Sequence, residues 1–392
     1  MMLSLREQSV GPPGRLSTGE HDSSWWGDMA WTTPQYSRGR IDKSGVVLIS
    51  PSASDFDKQE AMAVMGNWRS AHSYPLEVAL RTLRRNVAAV DPRAIVAGRL
   101  KRFPAIALKL RREKMRLSQM QDIGGCRAVL RSIEEVRSIL GTSKLWAESG
   151  DLREINYIQN PKETGYRSVH YVWKYAPKLE IRDGYDGMRV EIQIRSALQH
   201  AWATAVEMAS TFKNEDLKFG QGDPNWIRFF ALMGSAIAME EATPLVPGTP
   251  HNKKELRREL RDLSENIGVE GQMKRWSEVT SIARDLPAPT GDARVFLVTL
   301  HPADYRWQVK VKAFRESETI RASEEYLQAE KESAERQNVQ VALVSVESID
   351  MLREAYPNYY QDTSKFLKAL QTVLHATSAK PAVVHSHQRR KR

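Results

Sequence analysis

Val190-Glu191-Ile192-Gln193-Ile194-Arg195 alternates apolar and polar side chains without a break. A period of two is the period of a β-strand. Val190, Ile192 and Ile194 therefore face a core, and Glu191, Gln193 and Arg195 share the other face. A carboxylate, an amide and a guanidinium in one row suit a pocket for metal, base and phosphate. A sheet with a polar outer face is the plainer reading of the same six residues.

Two more strands are expected upstream, at Ile123–Leu130 and Ser168–Tyr175, the latter rich in Val, Tyr and Trp. Helical spacing appears at 54–72 (Ala61, Met62, Met65, Trp68), at 75–90, at 105–115, at 196–213 and around 224–241. These elements make an α/β (α+β) protein with a mixed sheet flanked by helices. Pro244, Pro247, Gly248 and Pro250 mark a linker over 244–252. Beyond it, a helix at 252–266, strands at 294–300, 307–314 and 339–346, and helices at 317–337, 348–355 and 363–374 predict a smaller C-terminal α/β domain. The expected division is a flexible segment 1–35, a main domain 36–243, the C-terminal domain 253–376 and a basic tail 377–392.

The chain of 392 residues carries 58 Lys and Arg against 48 Asp and Glu, a net charge of +10. A basic balance suits anionic partners such as nucleotides or RNA. Cys126 is the single cysteine, which excludes an internal disulfide and a Cys-based zinc site. No apolar run is long enough for a membrane span and the start has no signal-peptide core, so a soluble, cytoplasmic protein is expected.

Three further segments carry candidate chemistry. Gln121-Asp122-Ile123-Gly124-Gly125-Cys126-Arg127 opens a strand on an Asp and a Gly pair. Asp122 and Arg127 are five apart and would point to opposite faces. A bulge at the glycines is expected to bring them to one side. Tyr157 to His170 is a turn, marked by Pro161 and Gly165, running into a strand that sets Tyr166, Ser168 and His170 on one face. Tyr166 can stack on a nucleobase and Lys162 can reach a phosphate; a turn with a packed tyrosine is the alternative. Arg99-Leu100-Lys101-Arg102, followed by Lys109, offers guanidinium and ammonium groups for base and phosphate, or simply a solvated face.

In this order, the four segments resemble the synthetase domain of the RelA/SpoT family. The match lies in Arg99, Lys101 and Lys109, in Asp122 to Arg127, in Tyr157 to His170, and in Glu191 to Arg195. It covers about residues 95–210. Asn156, where the family usually has Asp, and Arg102, where many members have Ser, are departures that bear on acceptor choice.

The resemblance implies a nucleotidyltransferase-like synthetase fold that moves the β,γ-pyrophosphate of ATP to the 3′-hydroxyl of GDP or GTP. It implies Asp122 and Glu191 as catalytic residues holding Mg²⁺, and Arg99, Lys101, Lys109 and Arg127 as the ATP side. It implies Lys162, Tyr166, His170, Gln193 and Arg195 as the acceptor side. Toxin-like relatives place pyrophosphate on tRNA 3′ ends or adenosine nucleotides, and a catalytically inactive nucleotide sensor is the remaining alternative. Hydrolysis is not expected, since the only adjacent His-Asp pair is His21-Asp22. Oligomeric state is open.

Overall fold

Ser37, Ser54 and Asn252 each accept a backbone N–H two or three residues ahead, and each opens a helix. They start α1 (Arg38–Ile49), α2 (Asp55–Ala71) and α8 (Lys253–Ile267). Gly268, with φ of 68°, ends α8 in the left-handed conformation that glycine adopts without strain. The computed structural model describes residues 31–141, 150–213, 215–282, 293–303, 306–334, 339–347, 349–355 and 363–375. The expected basic tail 377–392 and most of segment 1–35 lie outside the described residues.

The remaining helices are α3 (Ser73–Ala88), α4 (Phe103–Glu113), α5 (Ile133–Gly141), α6 (Ala197–Lys213), α7 (Pro224–Glu240), α9 (Val269–Val279), α10 (Thr319–Ala334), α11 (Ile349–Ala355) and α12 (Ser364–His375). The strands are β1 (Ile95–Leu100), β2 (Gly124–Leu130), β3 (Gly150–Asn156), β4 (Val169–Tyr175), β5 (Arg189–Ser196), β6 (Thr280–Ile282), β7 (Ala293–Ala303), β8 (Arg306–Arg315) and β9 (Gln340–Ser345). They form one mixed sheet in the order β3-β4-β5-β2-β1-β9-β7-β8-β6. β2 runs parallel to β5 and β6 to β8, and every other neighbouring pair is antiparallel. The mixed sheet with flanking helices is the architecture expected from the sequence.

The C-terminal strands extend this sheet. Gly98 and Arg99 of β1 pair with Ser345 and Val344 of β9. The packing is also shared: Ile95, Ala97 and Val129 lie in one apolar cluster with Phe296, Val298, Ala342 and Val344. The stretch 244–252 thus separates α7 from α8 along the chain, while sheet hydrogen bonds join the strands on either side of it. A second apolar cluster packs α6, α7, α8, α9 and α12 around Trp202, Trp226, Phe229, Phe230 and Phe366.

The bulge expected at Gly124-Gly125 is absent. The register of β2 is continuous against β1 and against β5, from Gly124 to Leu130. The strand begins at Gly124, so Asp122 precedes it and the alternation rule does not govern its direction. The backbone N–H of Lys101 donates to the Ile123 carbonyl at 2.7 Å, which ties this pre-strand corner to the end of β1.

Candidate active site

Two rows of paired residues build the floor of the site. Arg99 (β1), Gly125 (β2), Glu191 (β5) and Val172 (β4) lie in register, and beside them Ala97, Arg127, Gln193 and His170. Gly125 contributes no side chain between Arg99 and Glu191. A Cβ there would have only the Glu191 carbonyl oxygen within 4 Å, at 3.8 Å, so its absence leaves the floor open. Above it, α4 brings Lys109, Arg112 and Glu113, α6 brings Glu207, and the short turn 217–219 brings Lys218 and Phe219. The cavity measures about 330 Å³. All eleven residues expected from the sequence line it: Arg99, Lys101, Lys109, Asp122, Arg127, Lys162, Tyr166, His170, Glu191, Gln193 and Arg195.

Asp122 is gripped by two ammonium groups. Lys101 Nζ donates to Oδ2 at 2.8 Å and Lys109 Nζ to Oδ1 at 3.0 Å. Burial pushes the Asp122 carboxyl up and nearby Glu191 does the same, yet the two lysines outweigh both and hold it below its ordinary value. Burial also pulls Lys101 below the usual lysine range in spite of its partner.

Glu191 accepts from His170 Nδ1 at 3.0 Å and from Gln193 Nε2 at 2.7 Å. A carboxylate only accepts, so Nδ1 carries the proton and Nε2 accepts from the Tyr166 hydroxyl at 2.7 Å. Burial favours the neutral acid, but the His170 and Gln193 bonds and Lys109 overcome it, so Glu191 stays well below the carboxylate range.

The loop from Tyr157 to Ser168 is shaped by Gly165. Its φ is +96°, and a Cβ there would meet the Phe230 carbonyl oxygen at 2.6 Å and Trp202 at 2.9 Å. The turn closes through Gly165 N–H to the Lys162 carbonyl at 2.8 Å. Close packing on α7 carries Tyr166 inward. Its ring is 3% exposed, sits in the apolar cluster with Trp202, and has the Lys162 and Lys218 ammonium groups 5.6 and 5.3 Å from its centroid. In this arrangement Tyr166 packs against Trp202, orients His170 and lines the cavity. Phe219, 45% exposed with the Arg112 guanidinium 3.6 Å from its centroid, is the most exposed ring among the lining residues, and Tyr157 is half-buried.

Sequence reasoning missed Glu207, Lys218, Phe219 and Arg112. Lys218 donates to Glu207 at 3.4 Å. Burial raises the Glu207 carboxyl, but Lys218 and the arginines at 99, 127 and 195 bring it down to about 2. The available signal was one carboxylate among the apolar residues of α6. The two departures noted in the sequence stand outside the cavity lining. Asn156 Oδ1 accepts from the backbone N–H of Ile158 and Gln159, both at 3.1 Å, a capping task that Asp performs equally. Arg102 is the residue preceding α4.

Residues 98–216 match the family model described as the region found in RelA / SpoT proteins. The chain carries a RelA/SpoT region. GTP pyrophosphokinase YjbM of Bacillus subtilis is 31% identical over 137 residues, which cover 34% of this chain and 64% of the relative. GTP pyrophosphokinase YwaC of the same organism is 30% identical over 27% of this chain and 53% of the relative. The chain thus spans between half and two thirds of each relative's length. The crystal structure of small alarmone synthetase 2 from Bacillus subtilis aligns at 23% identity and a TM-score of 0.35, over 43% of this chain and 91% of that one. The RelA/SpoT region contains every site residue expected from the sequence, while Lys218 and Phe219 lie just beyond its end.

Asp122 and Glu191 are hard oxygen donors on one cavity, each turning a carboxylate inward. Among the described residues no three His, Cys, Asp or Glu side chains gather as a metal cage. Two carboxylates suit Mg²⁺, which commonly takes one or two protein carboxylates and completes its shell with water and substrate phosphates. The donor set fits that ion.

Proposed function

We propose that the protein transfers the β,γ-pyrophosphate of ATP to the 3′-hydroxyl of GDP or GTP, giving a guanosine tetra- or pentaphosphate and AMP. The reading rests on one observation. Segments more than ninety residues apart in sequence deliver Asp122, Glu191 and a ring of lysines and arginines into one cavity, within a RelA/SpoT region.

In the reaction, the acceptor's 3′-oxygen bonds to the β-phosphorus, and the bond from that phosphorus to the α,β-bridging oxygen breaks. The bridging oxygen leaves with AMP. Such a transfer needs positioning and charge neutralisation more than covalent help. Asp122 and Glu191 would hold Mg²⁺, which when bound neutralises charge on the donor phosphates. Arg99 lies against the adenine, and Lys101, Lys109 and Arg127 take the ATP side. The lysines now on Asp122 are the groups that exchange a carboxylate for phosphate when ATP enters. Lys162, His170, Gln193 and Arg195 form the acceptor side. Tyr166 serves that side by fixing His170 and by offering its ring to the acceptor base.

Glu191 receives the proton of the 3′-hydroxyl. Its depressed pKa suits holding a cation, and proton acceptance requires the His170 and Gln193 bonds to loosen in the nucleotide complex. The test is AMP release from ATP with and without GDP or GTP, in the presence of Mg²⁺. AMP formed in step with consumed acceptor supports the reading. Acceptor-independent phosphate release, or no turnover, sinks it.

A further inference from the structure

We infer that the C-terminal segment positions the ATP side of the site, acting through Glu330 on α10; this rests on the pyrophosphate-transfer reading above. The corner between β1 and α4, residues 99–103, carries Arg99 and Lys101 and leads to Lys109. It is held at both ends and in the middle. At its start, Gly98 and Arg99 pair with Ser345 and Val344 of β9. At its end, the backbone N–H of Phe103, the first residue of α4, donates to Glu330 Oε1 at 3.1 Å. In the middle, Arg69 Nε donates to the Lys101 carbonyl at 2.7 Å, and its guanidinium lies 4.0 Å from the Tyr326 ring centroid, also on α10.

The chemistry of these contacts fits a positioning role. Arg102, the residue before α4, supplies no side-chain hydrogen bond to the helix start. The first N–H groups of a helix have no partner within it and concentrate its positive end. Glu330, 6% exposed and 227 residues away in sequence, supplies the missing carboxylate. Burial pushes the Glu330 carboxyl above its ordinary value, and nearby Arg69, 1% exposed and sandwiched by the Phe103 ring, 5.0 Å from its centroid, and Tyr326, opposes that push. A buried carboxylate and guanidinium are costly without partners, so together they fix one geometry for the corner. Lys101 and Lys109 sit two residues before and six residues after Phe103, and both already converge on Asp122. The acceptor-side residues on β4, β5 and the 157–168 loop have no part in these contacts.

Glu330 is therefore a positioning residue for the donor nucleotide. Full-length wild type, Glu330→Ala and Glu330→Gln are compared by calorimetric binding of a non-hydrolysable ATP analogue with Mg²⁺ and, separately, of GDP. The alanine variant is expected to weaken the ATP analogue about ten-fold, the scale of a lost helix cap, and to leave GDP within about two-fold. Glu330→Gln keeps an acceptor for the Phe103 N–H and should recover most of the loss. Equal weakening of both ligands, or none, overturns the inference. Should Glu330→Ala fail to fold, Tyr326→Leu replaces it, with the same selective loss expected and the same contrary results. Wild type that binds neither nucleotide refutes the functional reading itself, which separates the two failures.

Discussion

Asp122 has both carboxylate oxygens taken by lysines, and Glu191 has both taken by His170 and Gln193. Each is thereby kept ionised in a partly buried site. Removing the Glu191 charge by Glu191→Gln is predicted to lower pyrophosphate transfer at least about 100-fold, the scale of a lost general base or metal ligand. A variant that keeps more than a tenth of the activity contradicts the role.

The same residues set the acid stability. Both folded-state pKa values lie below the ordinary ones, 3.8 for Asp122 and 4.5 for Glu191, so the unfolded chain takes up protons first as pH falls. Their stabilisation is fully present above those ordinary values and is lost as pH drops through them toward the folded pKa values. Urea unfolding from about pH 6 down to about pH 3 should show stability falling more steeply in wild type than in Glu191→Gln. Parallel curves would contradict the depressed pKa. At this scale the sequence was informative wherever a charged residue interrupts a strand pattern, as with Glu191 and Arg195. Lys218 and Phe219 sit in a short turn with no periodicity, and for Tyr166 the sequence left stacking and packing both open, because its burial depends on α7 packing from sixty residues away.

The loop from Tyr157 to Ser168 is where an element's shape depends on one residue. Gly165 and Gly234 pack face to face, with a Cβ on Gly234 falling 2.8 Å from the Gly165 carbonyl oxygen. Gly165→Ala combines positive φ with a backbone clash, and is predicted to destabilise the protein by more than about 2 kcal/mol. Because the loop carries Lys162 and Tyr166, acceptor KM should rise as well. An unchanged unfolding midpoint would refute the close packing. The strands β2, β4 and β5 were legible from alternation and β-branched content, to within a residue or two at their ends. The bulge proposed for Gly124-Gly125 was an error of boundary. Asp122 was counted as strand, whereas the strand starts two residues later. The strand β1 was not foreseen, since Ile95–Leu100 is a short run interrupted by Gly98 and followed at once by basic residues.

Across the whole molecule, one sheet joins the RelA/SpoT region to the C-terminal strands. A chain ending at residue 282, which lacks β7, β8 and β9, uncovers the β1 edge and the apolar face of Ile95, Ala97 and Val129. It is predicted to lose its cooperative thermal transition, as followed by circular dichroism; a sharp transition at the wild-type midpoint would show that the part before residue 283 stands alone. The C-terminal elements α8, β7, β8, α10, β9, α11 and α12 were legible in the sequence, but α9, β6 and the pairing of β9 with β1 were not. Strand pairing across more than 240 residues leaves no local pattern, and the proline-rich stretch at 244–252 reads as a boundary. Among the described residues no helix is long and apolar enough to cross a membrane. Purified protein is incubated with Mg²⁺ and ATP labelled at the γ-phosphorus, and in parallel with GDP, GTP, ATP alone or bulk tRNA, and the products are separated. Label is expected on GDP and GTP with matching AMP release, abolished by Glu191→Gln. Label confined to tRNA or to adenosine nucleotides would contradict transfer to GDP or GTP.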